Sequence, residues 1–134
     1  RASAINNWEI FKRIFDGDKG LLEKIAAIGH EAADCAEAVS QQNWKDTIKA
    51  SQREWRLRTD LWPNIETIET RKIDAAAKAE GAIFTRVCGA GGGGVMGIFC
   101  PIDRTEQVSK AMTAAGGQVM DVVVGGPGLT VNII

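Results

Sequence analysis

Five glycines fall within the six residues Gly89-Ala90-Gly91-Gly92-Gly93-Gly94. Such a run costs conformational entropy on folding, about 0.5–1 kcal/mol per glycine relative to alanine in regular structure. A chain tolerates that cost where its backbone must take positive φ or approach another group closely. Exposed N–H groups in such a loop form a concave anion site, so the chemistry open to it is the holding of phosphate. The run has the letters of the dinucleotide fingerprint G-x-G-x-x-G but not its setting. That fingerprint needs a strand before it and a helix after it. Here Val95-Met96-Gly97-Ile98-Phe99-Cys100 follows, then Pro101, which is the pattern of a strand. Nor is it a Walker phosphate loop, because no Gly-Lys-Ser/Thr follows. The plain structural reading is a turn between two strands.

Other residues also carry charge or chemistry. Arg53 and Arg56 share a helical face and could meet a substrate phosphate, while Arg58 points toward Glu54 at i,i+4. The plainer reading of the three arginines is a solvated charged face. Glu66-Thr67 and Glu69-Thr70 follow Pro63-Asn64 at a helix start, where capping and the macrodipole account for them. His30 lies beside an apolar helical stripe with no metal-ligand set around it. The four tryptophans stand at helical spacings, as core or domain-interface residues do. Cys88 has no neighbouring base in sequence and is not read as a nucleophile. No residue of this chain is expected to be catalytic, and none to hold a metal.

The elements that must position these residues change period midway. Ser3 to Phe15 has Ile5, Trp8, Phe11 and Phe15 at helical spacing. Asp16-Gly17-Asp18 breaks it, and Asp18 caps a long second helix. The stripe of that helix is Leu22, Ile25, Gly29, Ala32, Ala36 and Val39, widened by Leu21, Ile28 and Cys35. Asn43 caps a third helix whose buried face is Trp44, Ile48, Trp55 and Trp62, ending at Pro63-Asn64. A fourth runs from about Glu66 to Glu80 and stops at Gly81, suited to a left-handed cap. Ala82 to Cys88 and Val95 to Cys100 read as strands. Asp103-x-x-Glu106 opens a short helix that ends at Gly116-Gly117. Gln118 to Val124 is read as another strand, and Leu129 to Ile134 closes a hairpin across Gly125-Gly126-Pro127-Gly128. The expected fold is α+β, with a four-stranded antiparallel, ferredoxin-like sheet and an N-terminal helical half packed on it.

Length and charge bound the rest. With 134 residues the chain makes one domain and can bury a core without disulfides. A net charge of −1 gives no attraction to nucleic acid or anionic membrane. Cys35, Cys88 and Cys100 fit neither a disulfide framework nor a zinc site, so reduced thiols in a cytoplasmic protein are expected. No apolar run is long enough to cross a membrane. The chain opens on Arg1 directly into a helical pattern, which suggests a piece of something longer.

Arg86-Val87-Cys88-Gly89-Ala90-Gly91-Gly92-Gly93-Gly94 resembles the third motif of the GHMP kinases, the family of galactokinase, homoserine kinase and mevalonate kinase. That motif reads Lys, an aliphatic residue, Thr or Cys, then Gly-Ala-Gly-Gly-Gly-Gly. Arg86 replaces the Lys, keeping the charge but not the shape. The setting is similar too: a helix ending in Ala79-Glu80-Gly81, a strand, the loop, a strand. Ser51-Gln52-Arg53-Glu54-Trp55-Arg56-Leu57-Arg58 looks like a segment of the bacterial kinases of heptose 7-phosphate. Pro63 to Glu69 departs from that subfamily's Pro-Gly-Val-Thr-Thr-Pro-Glu, with Asn64 for Gly, Glu66 for the first Thr and Ile68 for Pro.

The resemblance implies that residues 1–134 are a C-terminal domain. It implies an ATP- and Mg²⁺-dependent kinase of a sugar or sugar phosphate whose N-terminal, nucleotide-binding domain is the missing partner. Gly89 to Gly94 would then lie near the ATP phosphates, and Arg53, Arg56, Glu66, Thr67 and Arg86 near the substrate cleft. No cofactor would stay tightly bound to this chain alone. The reading from another class is a free-standing α+β module that binds a small anion or forms a homodimer.

Overall fold

The computed structural model describes residues 7–122 and 125. Among them the chain forms five α-helices and one sheet of two strands. The helices are α1 (Asn7–Phe15), α2 (Lys19–Ser40), α3 (Trp44–Leu61), α4 (Ile68–Ala79) and α5 (Thr105–Ala114). The strands are β1 (Phe84–Val87) and β2 (Met96–Phe99).

The caps follow the sequence closely. Asp18 accepts the Leu21 amide at 3.0 Å and starts α2. Asn43 accepts the Asp46 amide at 3.2 Å and starts α3. Thr67 and Thr70 exchange side-chain bonds with each other's backbone amides, a reciprocal box that opens α4. Gly81 turns left-handed at φ 99° just beyond α4. The Asp103 expectation fails. Pro101 is followed by a 3-10 turn, Ile102–Arg104, which absorbs Asp103, and α5 begins at Thr105 with no side-chain cap.

Asp18 also binds Arg13 through Nε (3.0 Å) and Nη2 (2.6 Å). The Leu21 amide first, and Arg13 second, hold its carboxyl below the usual aspartate range. The folded value is depressed, so this stabilisation is complete above the unfolded value, about 4. It disappears as pH falls through the lower folded value. Helicity followed through an acid titration should fall in that window. Asp18→Asn accepts the same amide but does not titrate, and should flatten that part of the curve. An unchanged curve would mean the cap contributes nothing to acid sensitivity.

α2 and α3 run antiparallel across the turn Gln41-Gln42-Asn43, in which Gln42 has φ 55°. Their seam is set by Lys24 Nζ to the Asp60 carbonyl (3.3 Å), Arg53 to Glu31, and Cys35 Sγ beside Ser51 Oγ (3.6 Å). The buried residues of α3 are Thr47, Ala50, Ser51, Glu54 and Trp55. Most are small, which lets the two backbones close on each other. The seam also corrects the expected faces. On α2 the buried side is Leu21 and Ala38, while Leu22 and Val39 are exposed. On α3, Trp55 is buried and Trp44 is 63% exposed.

β1 and β2 pair antiparallel in the register Phe84↔Phe99 and Val87↔Met96. The rings of Phe84 and Phe99 stack with centroids 5.7 Å apart. Alternation places Phe84 and Arg86 on one face and Thr85 and Val87 on the other. The first face meets α3, where Arg86 lies over the Trp55 ring. The second meets α4, where the Thr85 hydroxyl donates to Asp74. The core that joins these layers is Trp55, Ile65, Phe84 and Val87, flanked by Ile48, Trp62 and Met96.

The expected four-stranded ferredoxin-like sheet is overturned: the described residues are mostly helical and hold only this two-stranded sheet. Residues 118–122 of the expected third strand make no ladder and are exposed. Apolar, β-prone residues become a strand only when an edge receives them, and no described edge does. The expected Leu129–Ile134 strand lies outside the described residues.

Candidate functional site

The hairpin β1–β2 is closed by Cys88 N–H donating to the Val95 carbonyl at 2.8 Å, and the glycine run is the loop between them. Gly89, Gly91, Gly92, Gly93 and Gly94 have φ of 77°, 88°, 73°, 118° and 91°. Ala90 is not among the residues of positive φ, so handedness alternates over Gly89-Ala90-Gly91. Alternation of this kind is what turns successive N–H groups toward one concavity. The loop is also anchored. The Gly92 amide donates to the carbonyl of buried Ile65 at 2.8 Å, in the 3-10 turn Pro63–Ile65 that follows α3.

Beside the loop lies a cavity of about 720 Å³. Ala90 to Gly94 form one wall, and Thr67, Glu69 and Thr70 at the start of α4 form another. Ile73, Met96, Ile98, Val108 and Met112 line its floor, with Ser109 and Gln118 at its polar margin. The glycine loop and the N-terminal end of α4 therefore border one space. Glu69 is the one charged residue among its described lining residues, which include no Lys or Arg. No three His, Cys, Asp or Glu side chains gather to hold a metal ion among the described residues.

Thus, of the residues expected at the phosphate loop and the substrate cleft, the structure brings together Ala90, Gly91, Gly92, Gly93, Gly94 and Thr67. Gly89 and Glu66 flank the cavity walls in sequence without lining the space. Arg53 and Arg56 do not belong to it. Arg53 binds Glu31 at 2.8 and 2.9 Å and Asp34 at 3.3 Å across the α2–α3 seam. The Glu31 bond, ahead of the Asp34 attraction, raises the Arg53 pKa further. Arg56 is exposed on α3. Arg86 lies on the opposite face of β1, against α3, where its Nη1 stands 2.9 Å from Glu54 Oε2.

Sequence reasoning did not find the α5 side of the cavity, nor the burial of Glu54, which is 6% exposed. The first had no signal, because Ser109 and Met112 read as ordinary helix residues. The second had one: a carboxylate directly before a core tryptophan, with an arginine four residues on.

Cys35, Cys88 and Cys100 are free thiols. Among the described residues no helix is long and apolar enough to cross a membrane. No family model matches this chain, and no curated protein matches it.

Proposed function

We propose that this chain is the C-terminal domain of a cytoplasmic, ATP-dependent sugar or sugar-phosphate kinase of the GHMP type. The glycine loop carries the proposal. Residues 86–94 resemble that family's third motif, and the loop holds left-handed backbone at five glycines, of which Gly91, Gly92, Gly93 and Gly94 line the wall of a cavity. A loop without Cβ atoms lets a crowded triphosphate approach the backbone closely, and phosphoryl transfer depends mainly on positioning and charge stabilisation.

The charge of the site fits half of a cleft. Triphosphate needs cations, and the described residues of the cavity lining include none. They would come from the nucleotide-binding half and from Mg²⁺ carried in on the phosphates, since no ligand cluster for an ion exists among the described residues. This chain would supply amide donors and the Thr67 end of α4. Its α1 helix also exposes Trp8 (63%), Phe11 (52%) and Phe15 (80%). An apolar face of this kind marks a docking surface, as expected of a domain whose partner is elsewhere.

The test is ATP turnover by the complete gene product against a panel of sugars and sugar phosphates. Mg²⁺-dependent transfer to at least one of them is the expected result, with none from residues 1–134 alone. A native product no longer than this chain, or one that leaves ATP intact with every acceptor, would overturn the reading. The exposed α1 face gives the second reading, a dimerising module without kinase activity, its specific support. Sedimentation showing a dimer of a native product of this length would favour it.

A further inference from the structure

Glu54 is an acid buried to 6% exposure in α3, and two guanidiniums share its carboxylate. Arg58, one turn along α3, donates its Nε–H to Oε1. Arg86, from β1, brings Nη1 to 2.9 Å from Oε2. That second approach is a charge contact without hydrogen-bond alignment, so Oε2 accepts no hydrogen bond. Trp55 fixes the Arg86 guanidinium from beneath, 5.7 Å from its ring centroid. Two cations held on one anion leave a net charge of +1. Both remain partly open to solvent, at 38% for Arg58 and 26% for Arg86.

The donor count is equally unbalanced. A guanidinium has five N–H groups in a fixed fork. Among the described residues no protein acceptor takes a hydrogen bond from the Nη groups of Arg58 or from the Arg86 guanidinium. No second carboxylate contacts either arginine there. Arg53 behaves differently, its charge being consumed by Glu31 and Asp34.

We infer that Arg58 and Arg86, oriented by Glu54 and Trp55, form a binding site for the phosphate group of a small molecule. Two planar guanidinium forks held on one carboxylate can each present paired N–H groups to the oxygens of a tetrahedral oxyanion. The buried carboxylate sets the spacing of the two forks and keeps either from folding away. The site lies on the α3 face of β1, opposite the side where α4 packs, so it is distinct from the glycine-loop cavity and does not depend on the kinase reading.

The test uses inorganic phosphate on the 134-residue chain, with arginine Nε–H resonances observed by NMR and chloride controls at equal ionic strength. Saturable shifts of Arg58 and Arg86, with Arg53 unmoved, are expected. Arg58→Lys keeps a cation for Glu54 but removes the fork, and should weaken binding by at least about ten-fold, in line with the strength of bidentate pairs. Arg53→Ala should leave binding unchanged. Linear, unsaturable shifts, or equal weakening in Arg58→Lys and Arg53→Ala, would overturn the proposal in favour of screening alone. Phosphate binding that survives Arg58→Lys but is lost in Gly93→Val would overturn it too, placing the anion in the glycine loop. Loss in Arg58→Lys with retention in Gly93→Val supports this site whether or not the complete protein phosphorylates a sugar.

Discussion

Gly93→Val should reduce phosphoryl transfer by the complete gene product about 100-fold or more, the scale at which enzymes lose rate when one positioned donor is displaced. The chain should still fold. A Cβ at Gly93 would meet no atom within 4 Å, so the cost is in backbone, not in space. At φ 118° a β-branched residue is strained by about 1–3 kcal/mol. Domains of this size have about 5–15 kcal/mol in hand. To relieve the strain the loop must rotate, and its amides leave the wall they share with Thr67. Gly91→Val and Gly92→Val should act in the same direction, the latter also straining the Ile65 contact. Steady-state kinetics with a parallel melting curve separates the two effects. Rates within a few-fold of wild type would reduce the loop to a turn.

Phe84→Ala should cost about 3–5 kcal/mol, the usual loss for deleting a buried aromatic side chain. Phe84 is 5% exposed, stacks on Phe99, and joins Trp55, Ile65 and Val87 in the core. Its removal separates α3 from the hairpin, and with it the anchor that holds the glycine loop to Ile65. Urea denaturation should show a large fall in midpoint, or an unfolded chain. Phe11→Ala on the exposed side of α1 should change stability by no more than about 0.5 kcal/mol. Equal effects from the two substitutions would mean that this core is not where the chain's stability resides.

The helical half was legible because its signals are local. Asp18 and Asn43 cap where short polar side chains precede apolar periodicity, and Gly81 stops α4 as a left-handed residue should. The glycine loop was legible for a related reason: only one residue type holds that backbone, so composition reveals geometry. What periodicity could not choose was the buried side of a broad stripe. Leu21 and Leu22 are equally apolar, and the approach of α3 selects Leu21. Trp44 shares the spacing of Trp55 but sits at the helix start, beyond the sheet that covers Trp55. The error at residues 118–122 came from treating strand propensity as sufficient without a receiving edge. Arg53 and Arg86 were both expected near the substrate cleft, yet one serves the α2–α3 seam and the other leans on Glu54. Those partners come from distant segments, and no spacing within one helix announces them.

The turn Gln41-Gln42-Asn43 has a kinetic consequence. Because α2 and α3 meet across so short a connection, closing that loop costs little entropy, and contacts between sequence neighbours form early. Trp55 reaches Phe84 and Val87 only after α4 has been laid down between them. The helical pair should therefore be the nucleus, formed while the hairpin is still searching. The glycine loop, held by Ile65 and by the closing of β1 on β2, would then be among the last segments to take its shape. Mutations along the α2–α3 seam would slow folding, and those in the hairpin would chiefly speed unfolding.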